Sequence, residues 1–241
     1  MKMSLNSILE DLEKYVEHKM EQGESVAGVK PETVRQLGVR HEQASGDVVS
    51  SSDDALKQIA GTIGDCTLCD LHRTRHNVVP GQGCQSPEIM FVGEAPGADE
   101  DEQGLAFIGR AGKLLTKMIG AMGFSRDEVF IGNILKCRPP GNRTPTPQEM
   151  EVCMPYLKAQ IAVLQPKVIV ALGGTAAKGL LNTESGISKL RGIWTTFEDI
   201  DLMPTYHPAY LLYNPSAKRD VWEDLQAVLK KLGRKVPPVK A

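Results

Sequence analysis

The chain has 241 residues, 41% of them apolar and 24% charged, with a formal net charge of −2, which suits one sizeable α/β domain plus an appendage and excludes a strongly basic polyanion-binding groove. No apolar run approaches the ~20 residues a membrane span needs. The start, M-K-M-S-L-N-S-I-L-E-D-L-E, is acidic and lacks a signal peptide's long apolar core, so the expectation is a cytoplasmic protein with no membrane partner. The charge is uneven: residues 1–60 hold seven Lys/Arg against eleven Asp/Glu, and the remainder is slightly basic. Its basic residues cluster as Arg73/Arg75, Lys136/Arg138/Arg143 and Lys218/Arg219, enough for a few local phosphate contacts.

In chain order, Leu5, Ile8, Leu9, Leu12, Val16 and Met20 recur at helical spacing, which predicts an amphipathic helix within residues 1–22. Such a helix docks on its own domain or on an unknown protein partner. Residues 23–52 mix Gly, Ser, Pro, Glu and Gln without periodicity and read as a flexible linker. From residue 53 to 241 the pattern is that of one domain. Ser51-Ser52-Asp53-Asp54 can cap a short helix that ends at Gly64. Glu88-Ile89-Met90-Phe91-Val92 is a short apolar run, a buried strand that breaks into Gly93-Glu94-Ala95-Pro96-Gly97. A strand ending in such a turn presents backbone amides at the carboxyl edge of a sheet, where open α/β sheets bind ligands. Glu100-Asp101 follow, then a Gly-rich segment around Phe107 that suits neither strand nor helix. A ring there can wall a flat ligand.

A helix is predicted from Arg110 to Met122, a strand at Val129-Phe130-Ile131, and a loop, L-K-C-R-P-P-G-N-R-T-P-T-P, whose prolines forbid regular structure. Thr146-Pro147-Gln148-Glu149 opens a helix running to about Leu164. Lys167 to Leu172 is a uniformly apolar strand, buried on both faces, and Gly173-Gly174 opens another helix to Leu181. Weaker strands lie at Ile193–Phe197 and Asp201–Pro204. His207 to Leu212 is a loop and short turn, and Lys218 to Leu232 the closing helix. The expected fold is α/β, a three-layer αβα sandwich with a central, mostly parallel sheet. No internal repeat is visible, and a monomer is expected.

Of five cysteines, Cys66 and Cys69 form a C-x₂-C pair, and Cys137 and Cys153 a wider pair around the Pro-rich loop. Four thiolates can hold zinc or an iron–sulfur cluster, and unrelated buried thiols are the plain alternative. The missing second C-x₂-C weighs against a zinc ribbon. Cys84 lacks a spaced companion.

Taken together, these pieces resemble the family 4 uracil-DNA glycosylases, iron–sulfur enzymes of bacteria and archaea. The matching elements are C-T-L-C at 66–69 with V-P-G-Q-G at 79–83, G-E-A-P-G at 93–97, and F-I-G-R-A-G-K-L-L at 107–115. They continue with N-I-L-K-C-R-P-P-G-N-R-T-P at 133–145, Cys153, A-L-G at 171–173 and H-P-A-Y-L-L at 207–212. The resemblance implies base excision repair: hydrolysis of the N-glycosidic bond of flipped-out deoxyuridine in single- or double-stranded DNA. It also implies a [4Fe–4S] cluster on Cys66, Cys69, Cys137 and Cys153. Two departures stand out: Tyr213 where the family often has Arg after H-P-x-x-L-L, and a long N-terminal extension.

On that resemblance, Gly93, Glu94 and Ala95 hold the pyrimidine edge and Phe107 stacks on the base. Asn133 reads O4 and N3–H, and Glu100 crowds C5 against thymine's methyl group. His207 stabilises the departing uracil anion, with Glu94 or the backbone holding the water, since Ala95 replaces the Asp that related enzymes use. Leu211 and Leu212 are expected to wedge into the gap left by the base. Lys136, Arg138 and Arg143 are expected to face phosphate. The rival readings are a non-catalytic iron–sulfur nucleic-acid-binding module of the same fold, and a glycosylase that traps DNA through a His in an Arg-rich loop. The loop here has no His, which disfavours the second.

Overall fold

The computed structural model describes residues 52–237. The amphipathic segment and nearly all of the linker predicted for the N-terminus lie outside the described residues. The elements in order are α1 (Ser52–Gly64), β1 (Gln82–Gly83), β2 (Ile89–Gly93), α2 (Ala98–Gln103), α3 (Arg110–Ala121), β3 (Phe130–Asn133) and α4 (Pro147–Leu164). There follow β4 (Val168–Leu172), α5 (Gly174–Leu181), α6 (Ile187–Leu190), β5 (Thr195–Phe197), β6 (Ile200–Thr205), α7 (Pro208–Tyr213) and α8 (Lys218–Lys231).

One six-stranded sheet has the order β1-β3-β2-β4-β6-β5. The four inner strands are parallel, and the short edge strands β1 and β5 run antiparallel to them. Every residue of β2 and β4 is buried, as expected of strands covered on both faces. The pleat divides them. Ile89, Phe91, Val168, Val170 and Met203 face the layer that contains α3 and α8, while Met90, Val92, Ile169, Ala171 and Leu202 face α4 and α5. At roughly 1.5–3 kcal/mol for each large side chain fully buried, this two-sided core is the main stabiliser of the domain.

The chain leaves β2 for β3 on one side and returns through α4 to β4 on the other. That makes β2 the place where the winding reverses, and ligands of such sheets bind at the carboxyl edge there. The sequence reading missed β1, α2 and α6, of two, six and four residues, too short to show a period.

Candidate active site

The carboxyl edge is assembled around Gly93, which pairs with Asn133 across β2 and β3. A Cβ on Gly93 would stand 2.4 Å from Asn133 Oδ1 and 2.5 Å from Phe107 Cζ, so only glycine leaves room for both. Phe107 has φ of 51°, unusual for an aromatic residue, and its backbone rests against Gly112, where a Cβ would come within 1.9 Å of the Phe107 carbonyl oxygen. Asn133 is buried. Its Oδ1 is the one buried side-chain polar atom among the described residues without a hydrogen-bond partner. An orphaned acceptor costs roughly 1–3 kcal/mol, which a ligand N–H would recover.

His207 enters from the end of β6, with its ring centroid 5.7 Å from that of Phe107 and the planes tilted by 36°. It caps α7: its Nδ1 accepts from the Ala209 amide at 3.1 Å, so the neutral ring carries its proton on Nε2. Burial pushes its pKa down to about 4, against an opposing pull from Glu100. The imidazole is therefore a neutral donor at physiological pH. Gly173, at φ 92°, permits this approach, since a Cβ there would stand 2.9 Å from His207 Cβ.

Glu100 is held fast. Its Oε1 accepts from the Ile108 and Gly109 amides, both at 2.9 Å, and its Oε2 from Gly97 at 3.1 Å. One carboxylate thus caps α2 and pins the segment that carries Phe107, so any pocket wall it forms is rigid. Buried Asp101 performs a similar task, accepting from His76 N and Nδ1, each at 2.9 Å. Glu94 is half-buried at the turn, and Ala95 packs against the α4 side of the core.

Two expectations about DNA contacts, for Leu211 and for Lys136, are corrected. Leu211 is 1% exposed and packed in the core, because the short helix α7 turns it inward, and Leu212 is half-buried. The exposed large side chains of α7 are Tyr210 and Tyr213. Lys136 does not face phosphate. It is fully buried, its Nζ donating to the Asn133 carbonyl and to Gln160 Oε1, both at 2.7 Å. Arg143 turns its fork to Glu149, at 2.8 and 2.6 Å, which holds that carboxylate below its usual range. Arg138 donates from Nε to Asn142 Oδ1 at 2.7 Å.

Cys66, Cys69, Cys137 and Cys153 line one small cavity together with Arg75, Lys136 and Tyr156, while Cys84 lies elsewhere, beside β1. Burial pushes the thiol of Cys69 up to about 11 and that of Cys153 to about 12. Among the described residues, no group of three or more His, Cys, Asp or Glu side chains stands ready for a metal ion. A cluster that gives each thiolate its own iron needs a wider set than a single ion does. Arg75 Nη1 donates to Cys137 Sγ at 3.1 Å, and the Lys136 ammonium lies near Cys153. Two cations beside four thiols suit an anionic sulfur-rich group. A groove between α4 and α5 contains none of Gly93, Phe107, Asn133 and His207.

A reversing α/β sheet thus brings an aromatic wall, an unpaired amide oxygen and a neutral imidazole to one edge, a set whose shape and polarity suit an enzyme pocket for a planar heterocycle. Residues 80–226 match the uracil DNA glycosylase superfamily model. The chain belongs to that superfamily and, within it, to the type-4 uracil-DNA glycosylases. It is 46% identical over 184 residues to the type-4 enzyme of Sulfurisphaera tokodaii, covering 73% of this chain and 84% of that one. The Archaeoglobus fulgidus type-4 enzyme is 43% identical, with 76% and 96% covered, and the Thermotoga maritima one 43%, with 72% and 93%.

Proposed function

We propose that this uracil-DNA glycosylase, a repair hydrolase that removes uracil from DNA, draws the flipped base into the carboxyl-edge pocket between Phe107, Asn133 and His207. The observation that carries the reading is the orphaned Asn133 Oδ1 behind Gly93. Uracil brings an N3–H to that oxygen and an O4 to the amide nitrogen, whereas cytosine offers neither in that order. A base that leaves Oδ1 unpaired is rejected, since a site built for a polar partner discriminates strongly against its absence. A purely binding module has no use for such an atom.

As the glycosidic bond lengthens, negative charge builds on the pyrimidine. The Nε2–H of His207 donates to O2 at that stage, and a neutral donor already in place needs no reorganisation. Phe107 stacks on the ring, and the Gly93-Glu94-Ala95 turn meets its polar edge. Glu94 or the adjacent backbone holds the attacking water. Glu100 fixes the wall beside C5 through its three amide bonds.

The four cysteines are the ligands for a [4Fe–4S] cluster, whose contribution is structural. Lys136 supports this: it joins the loop carrying Cys137 to the Asn133 carbonyl, so a clip at the cysteines steadies the base reader. The protein acts on single- or double-stranded uracil-containing DNA as a monomer. Incubating the purified chain with an oligonucleotide that carries one uracil should yield one alkali-labile abasic site, and anaerobically prepared protein should contain iron. Asn133→Asp should cut uracil excision steeply with little loss of DNA affinity. An intact oligonucleotide, or stoichiometric zinc without iron, would overturn the corresponding part.

A further inference from the structure

The large hydrophobic side chains exposed among the described residues are Leu105, Ile193, Tyr210 and Tyr213, at 44, 60, 44 and 77%. Three of the four lie close in sequence to residues of the base pocket. Leu105 is two residues before Phe107, and Tyr210 and Tyr213 follow His207 on α7. Ile193 adjoins Gly192, whose amide donates to the Pro204 carbonyl near the end of β6, at 3.1 Å. Two large aromatic side chains left exposed on the helix that follows His207 mark a surface for interaction.

The patch on α7 is also ordered. Tyr210 and Tyr213 are three residues apart and share a helix face. The Tyr210 ring packs on Tyr206 at 4.9 Å between centroids, and the Arg191 guanidinium lies 5.6 Å from the Tyr206 ring on its other contact. Arg191 is in turn anchored on buried Asp224, so its role is to brace the ladder. Lys218 and Arg219 are exposed at the start of α8, a few residues after Tyr213, with Arg219 pairing to Glu223 at 3.4 Å.

We propose that Tyr210 and Tyr213 form a stacking platform for the nucleobases of the DNA strand flanking the flipped uridine. This rests on the glycosylase reading and extends it by naming what replaces the expected leucine wedge. Planar rings held by their neighbours lose little freedom on binding, every base offers a π-face, and the platform is therefore sequence-tolerant. Its position next to the His207 cap means that a base stacked there stands beside the one in the pocket.

The test uses the full chain, a single-stranded oligothymidylate with one uracil, and the same oligonucleotide with 2-aminopurine beside the uracil. Tyr213→Ala should weaken binding of the first by roughly 5- to 150-fold, the range of one lost base–aromatic stack. It should also restore 2-aminopurine fluorescence that the wild type quenches. Tyr213→Phe should bind like the wild type, since the face and not the hydroxyl makes the contact. The salt dependence of Tyr213→Ala binding should keep the wild-type slope, because no phosphate contact is removed. With 77% of Tyr213 exposed, the variants should melt with the wild type. Undiminished affinity and quenching in Tyr213→Ala would overturn the platform, as would equal loss in Tyr213→Phe. Both readouts are binding measurements, so they are decided whether or not the wild type excises uracil; absence of excision would strike the catalytic reading instead.

Discussion

His207 should leave two signatures, one in catalysis and one in folding. Replacing it by Ala removes the Nε2–H donor, and the single-turnover excision rate at saturating enzyme should fall roughly 10²–10³-fold, the scale of one lost oxyanion-type donor. Substrate binding should weaken far less, because the hydrogen bond strengthens only as charge reaches the base. Folding reports the same residue through its displaced pKa. The folded value is about 4, against an ordinary value of 6.5 in the unfolded chain. Between these limits the unfolded state binds the extra proton, so the neutral half-buried ring stabilises fully above pH 6.5 and loses its contribution as pH falls toward 4. The difference between pH 7.5 and pH 5 is about 2 kcal/mol, rising to roughly 3 kcal/mol at the acid limit. Denaturant melts of wild type and His207→Ala at the two pH values isolate it: the stability gap between them should shift by about 2 kcal/mol in the variant's favour at pH 5. The excision rate should show no ionisation of His207 near pH 6.5. A gap that is the same at both pH values, with an unchanged saturating rate in the variant, would refute a neutral catalytic donor.

Gly93→Ala forces a methyl into a space bounded at 2.4 and 2.5 Å, so it should destabilise by about 1–3 kcal/mol and cut excision roughly 10²-fold, checked by melting and single-turnover rates. Cys84→Ser should leave iron content and visible absorbance unchanged, whereas Cys137→Ser should lose both together with much of the domain's stability. Asp224→Ala strands the part-buried Arg191 guanidinium and the buried Thr205 hydroxyl, which donates to Asp224 Oδ2 at 2.6 Å, so a loss of about 3–5 kcal/mol is expected in denaturant titration.

Where local chemistry decides an element, the chain states it openly. Thr146 and Glu149 exchange capping bonds with Pro147 at the first turn of α4, just as the T-P-Q-E run predicts. The unbroken apolar runs of β2 and β4 lie buried on both faces. Such signals survive because caps, prolines and apolar runs act within a few residues of themselves. The short helix α2 escaped notice for the opposite reason. Its six residues are A-D-E-D-E-Q, with no apolar stripe, and it is held by Glu100 and by Asp101 reaching His76 and Asn77.

The order of the cysteine pairs, the glycine turn and the other motifs carried the resemblance to the family in the sequence itself, since these depend on residue type and separation. Which side chains face the DNA did not follow. Leu211 and Leu212 read alike as wedges in a string of letters, and only the seating of α7 on the core buries the first and leaves the second half-buried. Lys136 reads as a phosphate-facing cation until the fold encloses it and gives its ammonium the Asn133 and Gln160 oxygens instead. The unpaired Asn133 Oδ1 belongs to the same group, because being buried without a partner is a property of everything packed around an atom. Burial, pairing and exposure are sums over distant neighbours, and they exist only once the sheet has brought Gly93, Phe107, Asn133 and His207 to one edge.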